Sequence, residues 1–425
     1  MFINLKNVSI ALFAFLAVIT QGAVYYSIFF QNSYAAILGI IFIALIIATY
    51  FKIGIPKSFF VYCIITALCY FLSAFINGIG FSSGLNIKTA LIYDMSLLIC
   101  LVAFALDGRK FINYLVWIVT VVSAISLVFY TIENTMGRNA ISQLFTYYSW
   151  GRGHYANLFY TFASNDTRNY SIFYEPGVFQ IVTISSLYLL IFGKQYFEMS
   201  VKKYVVAIII LIAAVLTGGS TTGYINLLFI VLGVLLMRRK SSLERGIAMV
   251  FSIAVAVLFI DYIVNGDGSI LTVYVMDKIF TMTSSSGNAY YASSGGARLF
   301  MFHMALQALA ENPFFGIGNT RVSAAVNEAF FEGFGTGNGL GAMIASKGLV
   351  TAFVTIAPIL VMGYRNRQSM YQYTILLLIY FNTIISQSTY SVVCCAFVVL
   401  MMTDFRENKE TVREVQNGFV YHYNI

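Results

Sequence analysis

Apolar runs of close to 20 residues recur along almost the whole chain, with short polar connections between them. A helix needs about 20 apolar residues to cross the hydrocarbon core of a bilayer, whereas a membrane-spanning barrel alternates apolar and polar residues. The pattern therefore predicts an all-α, polytopic membrane protein with twelve transmembrane helices. The predicted spans are 8–30, 34–51, 59–77, 89–106, 111–132, 174–193, 204–219, 221–237, 246–265, 338–362, 371–388 and 389–403.

The composition supports this class. Hydrophobic residues make up 59% of the chain and charged residues only 10%, whereas soluble domains have roughly 45–50% apolar and 25% charged residues. The sequence thus predicts one integral membrane domain over residues 1–425. The first apolar run follows Lys6, but it is too long for the core of a signal peptide, so we interpret it as a retained membrane anchor.

The orientation follows from the basic residues. Most of the 25 Lys and Arg residues fall on one set of alternate connections, such as those at 107–110 and 238–245. Because cytoplasmic connections are richer in Lys and Arg, that side is predicted to be cytoplasmic. Both termini are then cytoplasmic, including a tail at 404–425. The net charge of +8 is explained by this topology and requires no nucleic-acid partner.

Two long polar segments, 133–173 and 266–337, fall on the extracytoplasmic side of this topology. A loop of about 70 residues is too long to be a simple connector. The cytoplasmic connections, in contrast, are short and leave no room for a nucleotide-binding domain. We therefore expect the function to lie in the two extracytoplasmic loops.

Glu175 stands at the outer end of the sixth predicted span and is followed by Pro176 and Gly177. One interpretation is a helix cap, since proline suits the first helical turn and acidic residues favour helix N-termini. The other is a general base, or a carboxylate that orients a substrate hydroxyl, at the boundary between water and membrane. Tyr174, directly before it, is a candidate substrate contact.

Arginines are concentrated on the extracytoplasmic side, where positive charge is otherwise scarce. The guanidinium group is planar and permanently charged, and it binds phosphate oxygens in pairs. Some of these arginines could instead form salt bridges with nearby acidic residues such as Glu311. As a group they predict an anionic ligand outside the membrane. The arginines concerned are Arg138, Arg152, Arg168, Arg298 and Arg321.

Two further residues are candidate substrate contacts. His303 follows Arg298 by five positions, so on a helix the two point about 140° apart, and His303 could also be an ordinary surface histidine. Asn338 lies in the glycine-rich stretch 333–341, which would let the backbone approach a ligand closely. The three histidines are widely separated and the cysteines fall inside predicted spans, so we expect neither a metal site nor a cofactor.

Three segments together resemble the Wzy-type polymerases of O-antigen and capsular polysaccharide and the related O-antigen ligases. They are Arg168-Asn-Tyr-Ser-Ile-Phe-Tyr-Glu-Pro-Gly177, the hairpin Thr217-Gly-Gly-Ser-Thr-Thr-Gly223, and Arg298 followed by Glu311-Asn-Pro-Phe-Phe-Gly-Ile-Gly318. Two positions depart from the pattern: Thr221 stands where relatives have an arginine, and Gly337-Asn338 stands where the ligases have His-Asn. Lacking that histidine, the chain looks more like a polymerase.

The resemblance implies a glycosyltransferase of the bacterial inner membrane whose active site faces the periplasm. Its donor and acceptor would be oligosaccharide repeat units on undecaprenyl pyrophosphate, and a chain-length regulator is a possible partner. Under this interpretation Arg168 and Arg298 hold the pyrophosphate, Glu175 takes the proton from the acceptor hydroxyl, and Arg152 and Arg321 assist. Two alternatives stay open: an O-antigen ligase, which would depend on His303 or another histidine, and a transporter or flippase of lipid-linked sugars.

Overall fold

The computed structural model describes residues 4–24, 33–236, 294–329, 339–366 and 370–387, with gaps at 56, 78–84, 139, 142–147, 152, 153, 164–166, 195, 196 and 198. Within them it contains eleven helices and one small sheet. The helices are α1 (Leu5–Ile19), α2 (Tyr34–Tyr50), α3 (Lys57–Ile76), α4 (Leu85–Met136), α5 (Pro176–Phe192), α6 (Val201–Thr217), α7 (Thr221–Leu236), α8 (Ser294–Glu311), α9 (Asn319–Ala329), α10 (Gly339–Asn366) and α11 (Met370–Ser386).

Three of these helices contain stretches long and apolar enough to cross a membrane, namely Lys57–Ile76, Ala90–Met136 and Gly339–Ala357. Large apolar side chains on the outer helices face outwards; Phe42, Ile64 and Phe75 are each more than half exposed. Continuous apolar surface of this kind is unfavourable in water and suited to lipid. These are features of a helical membrane protein. The twelve spans and the cytoplasmic termini remain predictions.

Helix boundaries follow the hydropathy pattern closely except in the first span. The predicted turn at 107–110 appears as a break in α4 at Asp107, and α5, α6 and α7 begin and end within three residues of their predicted spans. The span at 8–30 is not one helix, because α1 ends at Ile19 and Gly22 has a φ of 120°. The predicted spans 246–265 and 389–403 and the tail 404–425 lie outside the described residues.

The first long loop contains a small sheet that the all-α prediction did not include. Strands β1 (Tyr148–Gly151), β2 (His154–Ala156) and β3 (Thr161–Ala163) form an antiparallel sheet in the order β1-β2-β3. Tyr155 of β2 pairs with Phe162 of β3, and their rings are stacked 5.3 Å apart. The aromatic and β-branched residues of these short segments favour strands, but hydropathy over a window of membrane-span length does not reveal them.

Helix α5 lies at the centre of the main hydrophobic core, and each of its residues is buried. An all-round apolar helix of this kind is expected where other helices surround it. The core around α5 includes residues of α1, α4, α6, α7 and α11. Since α5 begins directly after Glu175, the fold places that carboxylate at one end of its most enclosed helix.

Helix α10 is broken at Gly348, where φ is 79°. The segment 312–318 between α8 and α9 fills the break: the carbonyl of Pro313 accepts from the Leu349 N–H (2.9 Å), and the Ile317 N–H donates to the Ala345 carbonyl (2.8 Å). Backbone groups freed inside a membrane helix must find protein partners. The motif Glu311-Asn-Pro-Phe-Phe-Gly-Ile-Gly318 thus has a structural role: it provides hydrogen-bond partners for the backbone groups that are freed where α10 breaks.

Gly316 is essential to this packing. Its φ is 70°, and an added Cβ would lie 2.6 Å from the Ala345 carbonyl oxygen and 2.7 Å from the Lys347 nitrogen. Replacement Gly316→Ala is therefore expected to destabilise the protein by about 2–4 kcal/mol, from backbone strain and overpacking. Thermal unfolding in detergent measures the effect. The matched control is Gly39→Ala on α2, where the added Cβ has open space; equal midpoints for the two variants would contradict the prediction.

Candidate functional site

The site begins with the backbone around Glu175. Glu175 is extended (φ −142°, ψ 144°), its carbonyl accepts from Val178 and Phe179, and Pro176 occupies the first helical position. The carboxylate itself makes no capping hydrogen bond. Of the two interpretations left open by the sequence, the side-chain cap is thus not what the structure shows, and the carboxylate is available for other contacts.

Glu175 is exposed to solvent, while several parts of the fold act on its carboxylate. Its pKa is raised, and the largest cause is removal of water by the surrounding protein. Loss of water disfavours the charged form of a carboxylate. Four groups act in the opposite direction and lower the pKa: a hydrogen bond from Gln387, then the charges of Arg168, His154 and Arg298.

These four groups come from four separate parts of the fold. Arg168 belongs to the loop before α5, His154 to β2, Arg298 to α8, and Gln387 directly follows α11. The structure therefore brings together the three residues predicted to be catalytic, Glu175, Arg168 and Arg298. An arrangement of one carboxylate and two guanidinium groups is suited to bind an anionic substrate and to accept a proton from it.

Asn169 fixes the loop that carries Arg168. Its side chain is fully buried and donates to Ser126 Oγ and to Thr217 Oγ1, both at 3.1 Å. Its Oδ1 accepts from the Ser171 N–H (3.0 Å), which holds Ser171 in a left-handed conformation with φ 54°. The half-buried Arg168 is thus attached to a residue clamped between α4 and the end of α6.

The segment from 22 to 24 supports the same loop from the other side. Val24 N–H donates to the Ile172 carbonyl (2.9 Å), and Tyr174 N–H donates to the Gly22 carbonyl (3.2 Å). An added Cβ on Gly22 would meet the Tyr174 ring. Tyr174, predicted to contact substrate, therefore packs against the chain after α1 and is partly buried. The backbone on both sides of Phe173 is held in place.

Arg298 is partly buried on α8, where burial lowers its pKa and the Glu175 carboxylate raises it. Its Nη2 lies 3.5 Å from Thr222 Oγ1, in the first turn of α7. Thr222 in turn donates to Ser386 Oγ (2.6 Å) at the end of α11. The Arg298 guanidinium is thus connected through the Thr222 hydroxyl to Ser386, the residue directly before Gln387.

The hairpin between α6 and α7 accommodates Gln180 of α5. The Gln180 amide donates to the Val215 carbonyl (2.6 Å), and an added Cβ on either Gly218 or Gly223 would collide with it. Gly219 makes the turn with φ 57°. The glycines of this motif therefore permit a close approach of α5, one turn after Glu175.

The remaining candidates have different surroundings. His303 is exposed on α8. Arg321 forms an exposed ion pair with Glu311 (2.8 Å), which is the salt-bridge alternative that the sequence left open for these arginines. Neither is among the groups that affect Glu175. Arg138 also pairs with an acidic residue, Glu133, at 2.7 Å. Arg152 and Asn338 lie outside the described residues.

Two contributors were missed from the sequence, Gln387 and Thr222. Gln387 lies at the end of an apolar stretch, whereas Thr222 lies in the glycine-rich hairpin 217–223 but was not predicted as a site residue. The only signal is the run of small and polar residues at the start of α7 and the end of α11, where Asn382 donates to Asn226 Oδ1 (2.8 Å) and Asn226 donates to Thr383 Oγ1 (3.2 Å). Polar pairs of this kind join helices inside membranes.

Comparison with protein families provides an independent finding. Residues 205–342 match the family described as O-antigen ligase. The matched segment, which is less than half of the chain, is similar to this family. It includes most of α6, the glycine hairpin, Arg298, and the motif at 311–318, whereas Arg168 and Glu175 precede it. The search of curated proteins found no match. The resemblance to O-antigen ligases and polymerases is thereby confirmed at the level of the family.

Proposed function

We propose that this protein is a Wzy-type polymerase, a membrane glycosyltransferase that joins oligosaccharide repeat units carried on undecaprenyl pyrophosphate. The O-antigen ligase family segment supports a role in processing lipid-linked sugars. The observation that carries the proposal is that the charges of Arg168 and Arg298 act on the Glu175 carboxylate and lower its pKa. The product is O-antigen or capsular polysaccharide, and the reaction takes place at the periplasmic face of the bacterial inner membrane.

In the proposed reaction an acceptor hydroxyl oxygen attacks the anomeric carbon of the donor sugar. The bond between that carbon and the pyrophosphate oxygen breaks, and undecaprenyl pyrophosphate leaves with the electron pair. Arg168 and Arg298 stabilise the charge that develops on the leaving group. Glu175 takes the proton of the attacking hydroxyl, and its raised pKa strengthens it as a base. Attack from the opposite face inverts the anomeric carbon.

Arg152 and Asn338 complete the proposal as further substrate contacts. Tyr174 adjoins Glu175 in the sequence, and His303 and Arg321 are proposed as further substrate contacts. The donor carries its own activated leaving group, so the reaction requires no nucleotide. The arginines perform the charge stabilisation that metal ions provide in other transferases.

A second candidate, an O-antigen ligase that transfers finished polymer to a lipid acceptor, is favoured by two observations. The matching family is described as O-antigen ligase, and the His154 imidazole lies close enough to Glu175 to affect its pKa. The sequence Gly337-Asn338, which lacks the ligase histidine, favours the polymerase.

The surface polysaccharide of a deletion strain distinguishes these functions. For a polymerase we expect loss of the electrophoretic ladder with a single capped repeat unit retained, and restoration of the ladder by wild type and by His154→Gln. Accumulation of polymer on its lipid carrier, with failure of His154→Gln to complement, would establish the ligase. If no repeat unit reaches the cell surface or the periplasm, the protein is a transporter and the proposal is wrong.

A further inference from the structure

Gln387 is the one neutral group among the four that act on Glu175. It directly follows α11, and its N–H donates to the Thr383 carbonyl (2.9 Å), which continues the helical geometry to this residue. Its side chain forms a hydrogen bond with the Glu175 carboxylate. The amide of glutamine can donate two hydrogen bonds, so it can hold a carboxylate oxygen in a fixed direction.

Two glycines make room for this contact. An added Cβ on Gly177 would collide with the Gln387 amide, and one on Gly339 would collide with the Gln387 carbonyl. Gln387 therefore lies between the first turn of α5 and the first turn of α10. The absence of side chains at both positions allows α11 to approach Glu175 closely.

The same end of α11 is also connected to Arg298. Ser386 accepts from Thr222, whose hydroxyl lies 3.5 Å from Arg298 Nη2. Asn382, one turn earlier, donates to the Thr222 carbonyl (3.1 Å). Ser386, the last residue of α11, thus reaches the guanidinium through Thr222, and Gln387, the next residue, contacts the carboxylate. Buried hydrogen-bonded networks of this kind rigidify the groups that they join.

We infer that Gln387 is a positioning residue, which orients the Glu175 carboxylate towards the acceptor hydroxyl and, with Ser386, fixes its separation from Arg298. This inference rests on the proposed function and extends it to a residue outside both predicted loops. Gln387 does not contact the reacting atoms. It acts by restricting the direction of Glu175 and by stabilising its ionised form.

The inference is tested by the dependence of kcat/KM on pH, measured with lipid-linked repeat units and purified protein. Removing the amide with Gln387→Leu is expected to move the acid limb of the profile up by about one pH unit, since the lost hydrogen bond stabilised the ionised carboxylate. The isosteric change Gln387→Glu is expected to move it further in the same direction, because a second carboxylate disfavours ionisation of the first.

Control variants separate an effect on the orientation of the Glu175 carboxylate from a general effect on folding. Gln307→Leu removes a similar amide-to-carboxylate hydrogen bond, from Gln307 to Glu311 (2.8 Å), at an exposed position, and is expected to leave the profile unchanged. The charged groups that face Glu175 are Arg168, His154 and Arg298. Because histidine changes charge between pH 5 and 8, the profiles are repeated with His154→Gln.

The outcomes distinguish this inference from the proposed function. If Glu175→Gln is inactive but both Gln387 variants keep the wild-type acid limb, Gln387 has no positioning role and the proposed base stands. If Glu175→Gln retains wild-type activity, the proposed base is wrong whatever the Gln387 variants do. A lower rate with an unmoved limb in the isosteric variant would assign Gln387 a purely structural role and overturn the inference.

Discussion

Replacing Glu175 by glutamine is expected to lower the rate of polymerisation by about 100- to 10,000-fold, which is the contribution typical of general base catalysis. The substitution keeps the size and the hydrogen-bonding capacity of the side chain, and it removes the proton acceptor. Because the carboxylate does not cap α5, the change should leave folding intact. Turnover of lipid-linked repeat units and thermal unfolding in detergent, measured on the same preparation, check both statements.

Glu328→Gln is the matched control, since Glu328 is exposed on α9 and no contact with Glu175 is expected. Its activity should equal that of wild type.

The direction of the Glu175 pKa shift adds a second check. Burial raises this pKa, so the ionised base is present only above the raised value, and activity should fall as the pH decreases through it. An inactive Glu175→Gln variant that is also unfolded would not support the proposal; a folded and fully active one would refute it.

The second large effect is expected from the two arginines. Arg168→Lys and Arg298→Lys keep the positive charge but replace a planar, two-donor fork by a point charge. If the guanidinium groups stabilise the leaving pyrophosphate, each substitution should lower kcat by about 100-fold, comparable to the loss of one donor at a transition-state anion. Single-turnover kinetics with a lipid-linked donor measure this effect separately from product release.

Arg109→Lys is the control for this pair, because Arg109 is an exposed arginine next to the break in α4, on the side predicted to be cytoplasmic. Wild-type rates for Arg168→Lys and Arg298→Lys would exclude bidentate contacts with phosphate at these positions. The double variant adds information: if both arginines bind the same pyrophosphate, their effects should be smaller together than the product of the single effects.

Much of the helical framework could be predicted because membrane helices carry their own signal. The end of α5 next to Glu175, the break near Asp107 and the tight hairpin at 217–223 all follow from hydropathy and from glycine and proline positions. The break at Gly348 did not, because the apolar run continues through it. The backbone groups freed at this break form hydrogen bonds with residues 312–318, which are distant in sequence.

The candidate site likewise contains residues that the sequence could identify and contacts that it could not. Glu175, Arg168 and Arg298 could be selected from residue type and position, since charged groups at the ends of apolar segments are costly and usually functional. The pairing of Arg321 with Glu311 and the contact of Gln387 with Glu175 depend on which helices are neighbours. No local pattern encodes that information. Glu175 and Gln387 also lie outside residues 205–342, the range that matches the O-antigen ligase family.

The broken helix α10 has a consequence for the biogenesis of the protein. The chain is synthesised from its N-terminus, so residues 312–318 leave the ribosome before the Gly348 region does. The carbonyls of Pro313 and Phe314, which accept from Leu349 and Val350, are therefore already present when this part of α10 is inserted. Exposure of the unpaired backbone groups to lipid would otherwise be costly. Insertion of α10 should thus require that the preceding segment remain beside it during translation.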